Sequence, residues 1–128
     1  MIYKINIDEL KKGESVAYDN KAKRISPEVL NITEKNIEDY IANNIKEVLP
    51  TIDLMTIFQE RKWQEEPDIM AMNGQGDLYI FELKRIQSNE DNILQLLRYA
   101  QKFGTYEYTE INKMYQSYKN DNQFNLLE

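Results

Sequence analysis

The stretch PDIMAMNGQGDLYIFELK, residues 67–84, most constrains what this chain can fold into. Two apolar runs flank Asn73, Gly74 and Gly76, residue types that reach positive φ cheaply and so mark a tight connection. The pattern predicts an antiparallel hairpin with strands at 67–72 and 78–84, and Pro67 is tolerable at the first position of its strand. Each strand gives up a favourable apolar position to a charge, at Asp68 in one and at Glu82 and Lys84 in the other. Residues two apart in a strand share a face, so Glu82 and Lys84 project together. A hairpin closing at 73–76 pairs residue 72 with about 77 and sets Asp68 opposite residue 81 or 82. Asp68 and Glu82 then lie side by side, and adjacent like charges repel unless a cation or a proton separates them.

Composition narrows what could sit there. The chain has 128 residues and contains no cysteine and no histidine. Disulfides, thiolate zinc sites, cysteine nucleophiles and histidine bases are therefore excluded. Carboxylates, lysine, tyrosine and amides remain, and carboxylate oxygens favour hard ions such as Mg²⁺ or Mn²⁺. An ion held by Asp68 and Glu82, with Lys84 facing a water or phosphate oxygen, supplies the parts that phosphoryl transfer needs. The plain alternative is a surface Glu–Lys pair on an edge strand, with Asp68 capping a turn. The net charge of −6 argues against free-standing nucleic-acid binding, because phosphate contacts supply most non-specific affinity. No stretch approaches the roughly 20 apolar residues of a membrane span, and the N-terminus lacks a signal-peptide pattern, so a cytoplasmic protein is expected.

Around the hairpin, residues 1–7 suggest a first strand, 15–19 its partner, and 24–31 an irregular lead-in. A helix is predicted over 33–49, capped by Thr33 and ended by Pro50, with Ile37, Tyr40, Ile41, Ile45 and Val48 as its buried stripe. A strand follows at 54–58. A second helix is predicted from Ser88 or Asn89 to Gly104, with Ile93, Leu96, Leu97 and Ala100 inward. A third is suggested by the spacing of Tyr108, Ile111, Tyr115 and Tyr118. The order is α/β: helix, three strands, helix, around a small mixed sheet.

The string PD…ELK followed by QLLRY resembles the PD-(D/E)xK nuclease superfamily, in particular its RecB-type branch with a QxxxY helix motif. The segment 33–104 is similar to archaeal and bacterial single-strand and mismatch endonuclease domains. The resemblance implies a restriction-endonuclease-like αβββα core with a small mixed central sheet flanked by helices. It assigns Asp68, Glu82 and Lys84 to the metal and water site and adds the Leu83 carbonyl as a metal ligand. Glu38 takes the role of the first-helix glutamate, a direct or water-mediated metal ligand, with Asp39 as its neighbouring alternative. Gln95 and Tyr99 match the motif on the second helix, and Asp77 ranks behind Asp68 as the hairpin acid. Arg85 and Arg98 are candidate phosphate contacts.

The activity implied is Mg²⁺- or Mn²⁺-dependent hydrolysis of nucleic-acid phosphodiesters, with DNA, single-stranded or branched rather than plain duplex, as the partner. A non-catalytic binding module on the same scaffold is the alternative. The chain departs from the family in having no evident fourth core strand after the second helix. Residues 1–128 thus read as one nuclease-like domain, either the N-terminal part of a longer protein that holds the strand further on, or a domain whose C-terminal piece does that job differently. A homodimer or further domains of a longer chain are the candidate protein partners.

Overall fold

The computed structural model describes residues 30–60, 65–84 and 89–127. The strands expected at 1–7 and 15–19, most of the lead-in at 24–31, Arg85 and the candidate cap Ser88 lie outside the described residues. The chain divides into two compact units, Met1–Pro50 and Thr51–Glu128.

In the first unit the predicted helix is present but interrupted. Helix α1 runs Glu34–Asn43 and a short α2 runs Ile45–Val48. Thr33 opens α1 through a reciprocal capping box with Asn36, its hydroxyl accepting the Asn36 N–H at 3.1 Å. The break falls at Asn44, whose backbone takes φ −130° and ψ 33° and whose buried side chain donates to the Tyr40 carbonyl at 2.9 Å. Asparagine offers the backbone such local partners in place of helix continuation, which a pattern of apolar spacing does not register. The expected stripe is partly kept: Tyr40 and Ile45 are buried, Ile37 and Ile41 half-buried, and Val48 exposed.

The second unit holds a three-stranded sheet, β1 (Leu54–Gln59), β2 (Ile69–Asn73) and β3 (Leu78–Phe81), in the order β1-β2-β3. Both pairings are antiparallel, so among the described residues the sheet is not the mixed one expected. The general α/β class stands. In the hairpin Met72 faces Leu78, not residue 77. Asp77 is held back in the turn by Asn73, whose Oδ1 accepts from the Gln75 and Asp77 N–H groups and whose Nδ2 donates to Asp77 Oδ2. Of the two turn glycines only Gly76 has positive φ, at 89°. β3 is shorter than predicted and ends at Phe81, leaving Glu82, Leu83 and Lys84 just past the ladder.

Between β1 and β2, Thr56 faces Ala71 but Phe58 faces Met70, so Ile57 is an extra residue in β1. This is a β-bulge, and it turns Ile57 and Phe58 into the same core instead of onto opposite faces. That core also takes Met70, Met72, Leu78 and Ile80 from one face of the sheet, against two helices, α3 (Glu90–Phe103) and α4 (Tyr108–Lys119). On the other face Leu54, Ile69 and Ala71 are also fully buried, which explains the unbroken apolar runs in β2 and β3.

Helix α3 is capped by Asn89 and stopped at Gly104, where an added Cβ would meet the Ala100 carbonyl oxygen at 2.5 Å. Its buried face differs from the predicted stripe. Tyr99 and Phe103 are buried and Leu96 is half-buried, whereas Ile93, Leu97 and Ala100 face solvent. Each aromatic ring carries more apolar area than any single side chain of the aliphatic stripe, and Tyr99 and Phe103 take the interior. α4 buries Ile111 and Tyr115, with Tyr118 packed at their edge and Tyr108 exposed. The tail folds back along α4: Gln116 Nε2 donates to the Asn122 and Phe124 carbonyls, and Asn112 Oδ1 accepts the Leu126 N–H.

Candidate metal centre

The last ladder residues, Gln59, Ile69 and Phe81, lie abreast across the sheet. One step further along each strand stand Glu60, Asp68 and Glu82. The β1–β2 hydrogen bonding continues to this row, with the Glu60 N–H donating to the Asp68 carbonyl at 2.9 Å. Directly opposed residues of antiparallel strands point to one face, here the face of Phe58, Met70 and Ile80 on which α3 packs. Three carboxylates therefore share one end and one face of the sheet.

Asp68 and Glu82 are joined through the backbone between them: the Leu83 N–H donates to Asp68 Oδ2 at 2.6 Å. A carboxylate oxygen of Asp68 and one of Glu60 lie within 4.8 Å of each other. The Glu82 side chain is only 5% exposed; its Oε1 accepts from Lys84 Nζ at 2.6 Å. Its Oε2 is buried without a hydrogen-bond partner among the described residues. A buried, half-satisfied carboxylate is costly, and a bound cation is the usual remedy. Lys84 keeps its ammonium beside this acid while remaining partly open to solvent.

Gln95 and Tyr99, four apart on the inner face of α3, are hydrogen-bonded to each other, Gln95 Nε2 donating to the Tyr99 hydroxyl at 2.8 Å. Burial raises the Tyr99 phenol above its ordinary value. The negative charges of Glu82, Glu60 and Asp68 push in the same direction, against the hydrogen bond from Gln95. One phenol thus senses all three carboxylates of the row, which ties the α3 motif to the sheet end.

The remaining candidates are placed as follows. Glu38 lies on α1 in the first unit, buried and ion-paired with Lys35 at 2.5 Å. Asp39 is half-buried and pairs with the same lysine at 3.2 Å. Burial works against the Lys35 charge, but the hydrogen bonds and charges of Glu38 and Asp39 outweigh it and leave its pKa raised. Asp77 is an exposed turn residue, and Arg98 is exposed on α3.

Glu60 is the residue that sequence reasoning missed. With regular pairing from Thr56 onward, Gln59 would stand opposite Asp68 and Glu60 opposite Pro67. The extra residue at Ile57 moves Glu60 into the row. A signal existed in the acid that ends β1 a few residues before PD, but its register rests on a bulge that has no sequence mark.

Hard divalent cations are bound by carboxylate and carbonyl oxygens, the donor types present here. The orphaned Glu82 oxygen and the close Glu60–Asp68 pair fit such an ion. No family model matches the chain, and no curated protein or solved structure matches it at a significant level. Among the described residues no helix is long and apolar enough to cross a membrane.

Proposed function

We propose that this chain is a Mg²⁺- or Mn²⁺-dependent nuclease domain that hydrolyses phosphodiester bonds, with DNA as its substrate. The observation that carries this reading is the buried Glu82 carboxylate, one oxygen paired with Lys84 and the other without a partner among the described residues, in one row with Asp68. Asp68 and Glu82 would hold the ion together with the Leu83 carbonyl. When bound, the ion would lower the pKa of a water and offset charge on the phosphate. Lys84 would orient the attacking water and stabilise negative charge developing on the non-bridging oxygens. As an ammonium beside a carboxylate it acts by position and charge, not as a base. Gln95 and Tyr99 form a hydrogen-bonded unit on α3 suited to steadying the site and contacting the strand.

The test is cleavage of single-stranded, branched and duplex DNA with Mn²⁺ or Mg²⁺, with and without chelator. Cleavage that chelator and Asp68→Ala both abolish is expected. Folded protein that neither binds Mn²⁺ at millimolar concentration nor cuts any of these substrates would overturn the reading. A second reading is favoured by the exposed apolar side chains Ile93, Leu94 and Leu97 on α3, more than half accessible each. Such a surface suits a non-catalytic protein-binding module on the same scaffold, and Mn²⁺ affinity separates the two.

A further inference from the structure

The register of β1 points to a ligand that neither the strand pattern nor the motif supplies. We propose that Glu60, brought into the carboxylate row by the bulge at Ile57, is a direct ligand of the divalent ion, sharing it with Asp68. The proposal rests on the metal-site reading above and extends the ligand set to the third strand. Mg²⁺ sits about 2.1 Å from its oxygens and larger hard ions up to about 2.6 Å, so two ligand oxygens of one ion lie at most about 4–5 Å apart. The Glu60 and Asp68 oxygens, within 4.8 Å of each other, fall inside the limit for the larger ions, and a side-chain adjustment of about half an ångström brings them inside that for Mg²⁺.

A pair of acids alone would not establish a site. The independent observation is Glu82, a side chain 5% exposed, with Oε2 unpartnered among the described residues, in the same row and on the same face. Tyr99 closes the α3 side, and its phenol feels Glu82, Glu60 and Asp68 together. The three acids each stand one residue beyond the last ladder positions Gln59, Ile69 and Phe81 of three adjacent strands, so the sheet end sets where their backbones lie. Bulges that re-aim a side chain beside a functional site are a recurrent device.

The experiment is Mn²⁺ binding to the full chain, read by the loss of the free Mn²⁺ electron-paramagnetic-resonance signal, for wild type, Glu60→Gln, Asp68→Asn and Glu65→Gln. Glu65 is an exposed acid outside the row and controls for bulk charge. Glu60→Gln is expected to weaken Mn²⁺ at least tenfold, Asp68→Asn at least as much, and Glu65→Gln less than twofold. Glu60→Asp should recover part of the loss. If Asp68→Asn loses the ion while Glu60→Gln matches wild type or the Glu65→Gln control, the Glu60 assignment is overturned and the metal-site reading survives. Wild-type protein with no Mn²⁺ affinity would overturn both.

Discussion

The crowding of Glu60 and Asp68 carries a thermodynamic signature that can be measured without any substrate. Two unit charges 4.8 Å apart repel by about 3.5 kcal/mol at an effective dielectric of 20 and by about 0.9 kcal/mol in bulk water. Both side chains are half-buried, which places the real figure between these limits. Glu60→Gln keeps the shape and removes one charge, so in chelator it should stabilise the protein by about 1–2 kcal/mol. For a chain of this size that is a rise in Tm of about 4–8 °C. The gain should shrink in 1 M salt, where the Debye length falls to about 3 Å. Saturating Mn²⁺ should reverse the order. An ion present at a hundred times its Kd stabilises wild type by about 2.7 kcal/mol, and the variant that has lost a ligand gains less. Calorimetry or thermal melts in EDTA at low salt, repeated with Mn²⁺, provide the assay. If Glu60→Gln melts at or below wild type in EDTA, other interactions of these side chains outweigh their mutual repulsion and the reasoning is wrong.

Lys84→Ala should lower DNA cleavage about 10²–10³-fold while Mn²⁺ binding stays intact or tightens, and Lys84→Arg should not rescue it, because a planar fork does not replace a compact ammonium; wild-type cleavage by Lys84→Ala would remove the lysine from the site. Burial and the surrounding carboxylates raise the Tyr99 pKa, so stability linked to this phenol is complete below the ordinary tyrosine value near 10 and is lost as pH rises through the higher folded value. Absorbance titration of the folded protein should therefore show a late-ionising tyrosine that disappears in Tyr99→Phe. Asn89→Ala removes the side-chain acceptor for the Asp91 and Asn92 N–H groups at the start of α3; it should cost about 1 kcal/mol in urea denaturation, and an unchanged midpoint would show that the cap contributes nothing.

What could be read in advance was the part encoded by short-range pattern. The strand–turn–strand unit, the Thr33 and Asn89 caps and the Gly104 stop follow from residue types whose preferences are local. The opposition of Asp68 and Glu82 was legible for the same reason, since a hairpin register depends on a few turn residues. Even there Asp77 was misplaced by one position, because the Asn73 side chain captures it in the loop. Features decided by competition between distant groups were not legible. On α3 the aliphatic residues outnumber the aromatics, yet Tyr99 and Phe103 win the core through contacts with Ile57, Met70 and Ile111 that no helical periodicity reveals. The break at Asn44 goes with a buried side-chain bond to the Tyr40 carbonyl, a local contact that apolar spacing does not register. Glu60 was invisible because its position depends on how many residues β1 fits between Thr56 and the row.

That dependence makes the charge of the sheet end a matter of counting. Pairing β1 without the bulge, with Ile57 kept and set opposite Met70, would bring Gln59 opposite Asp68, with Glu60 drawn past it to Pro67. One end of the row would pass from carboxylate to carboxamide with every acid of the chain still in place. One and the same sequence, differing only in whether Ile57 is bulged or paired, would thus present different ligands to a cation. A chain lacking Ile57 would, by contrast, keep Glu60 opposite Asp68, because Phe58 and Gln59 already face Met70 and Ile69.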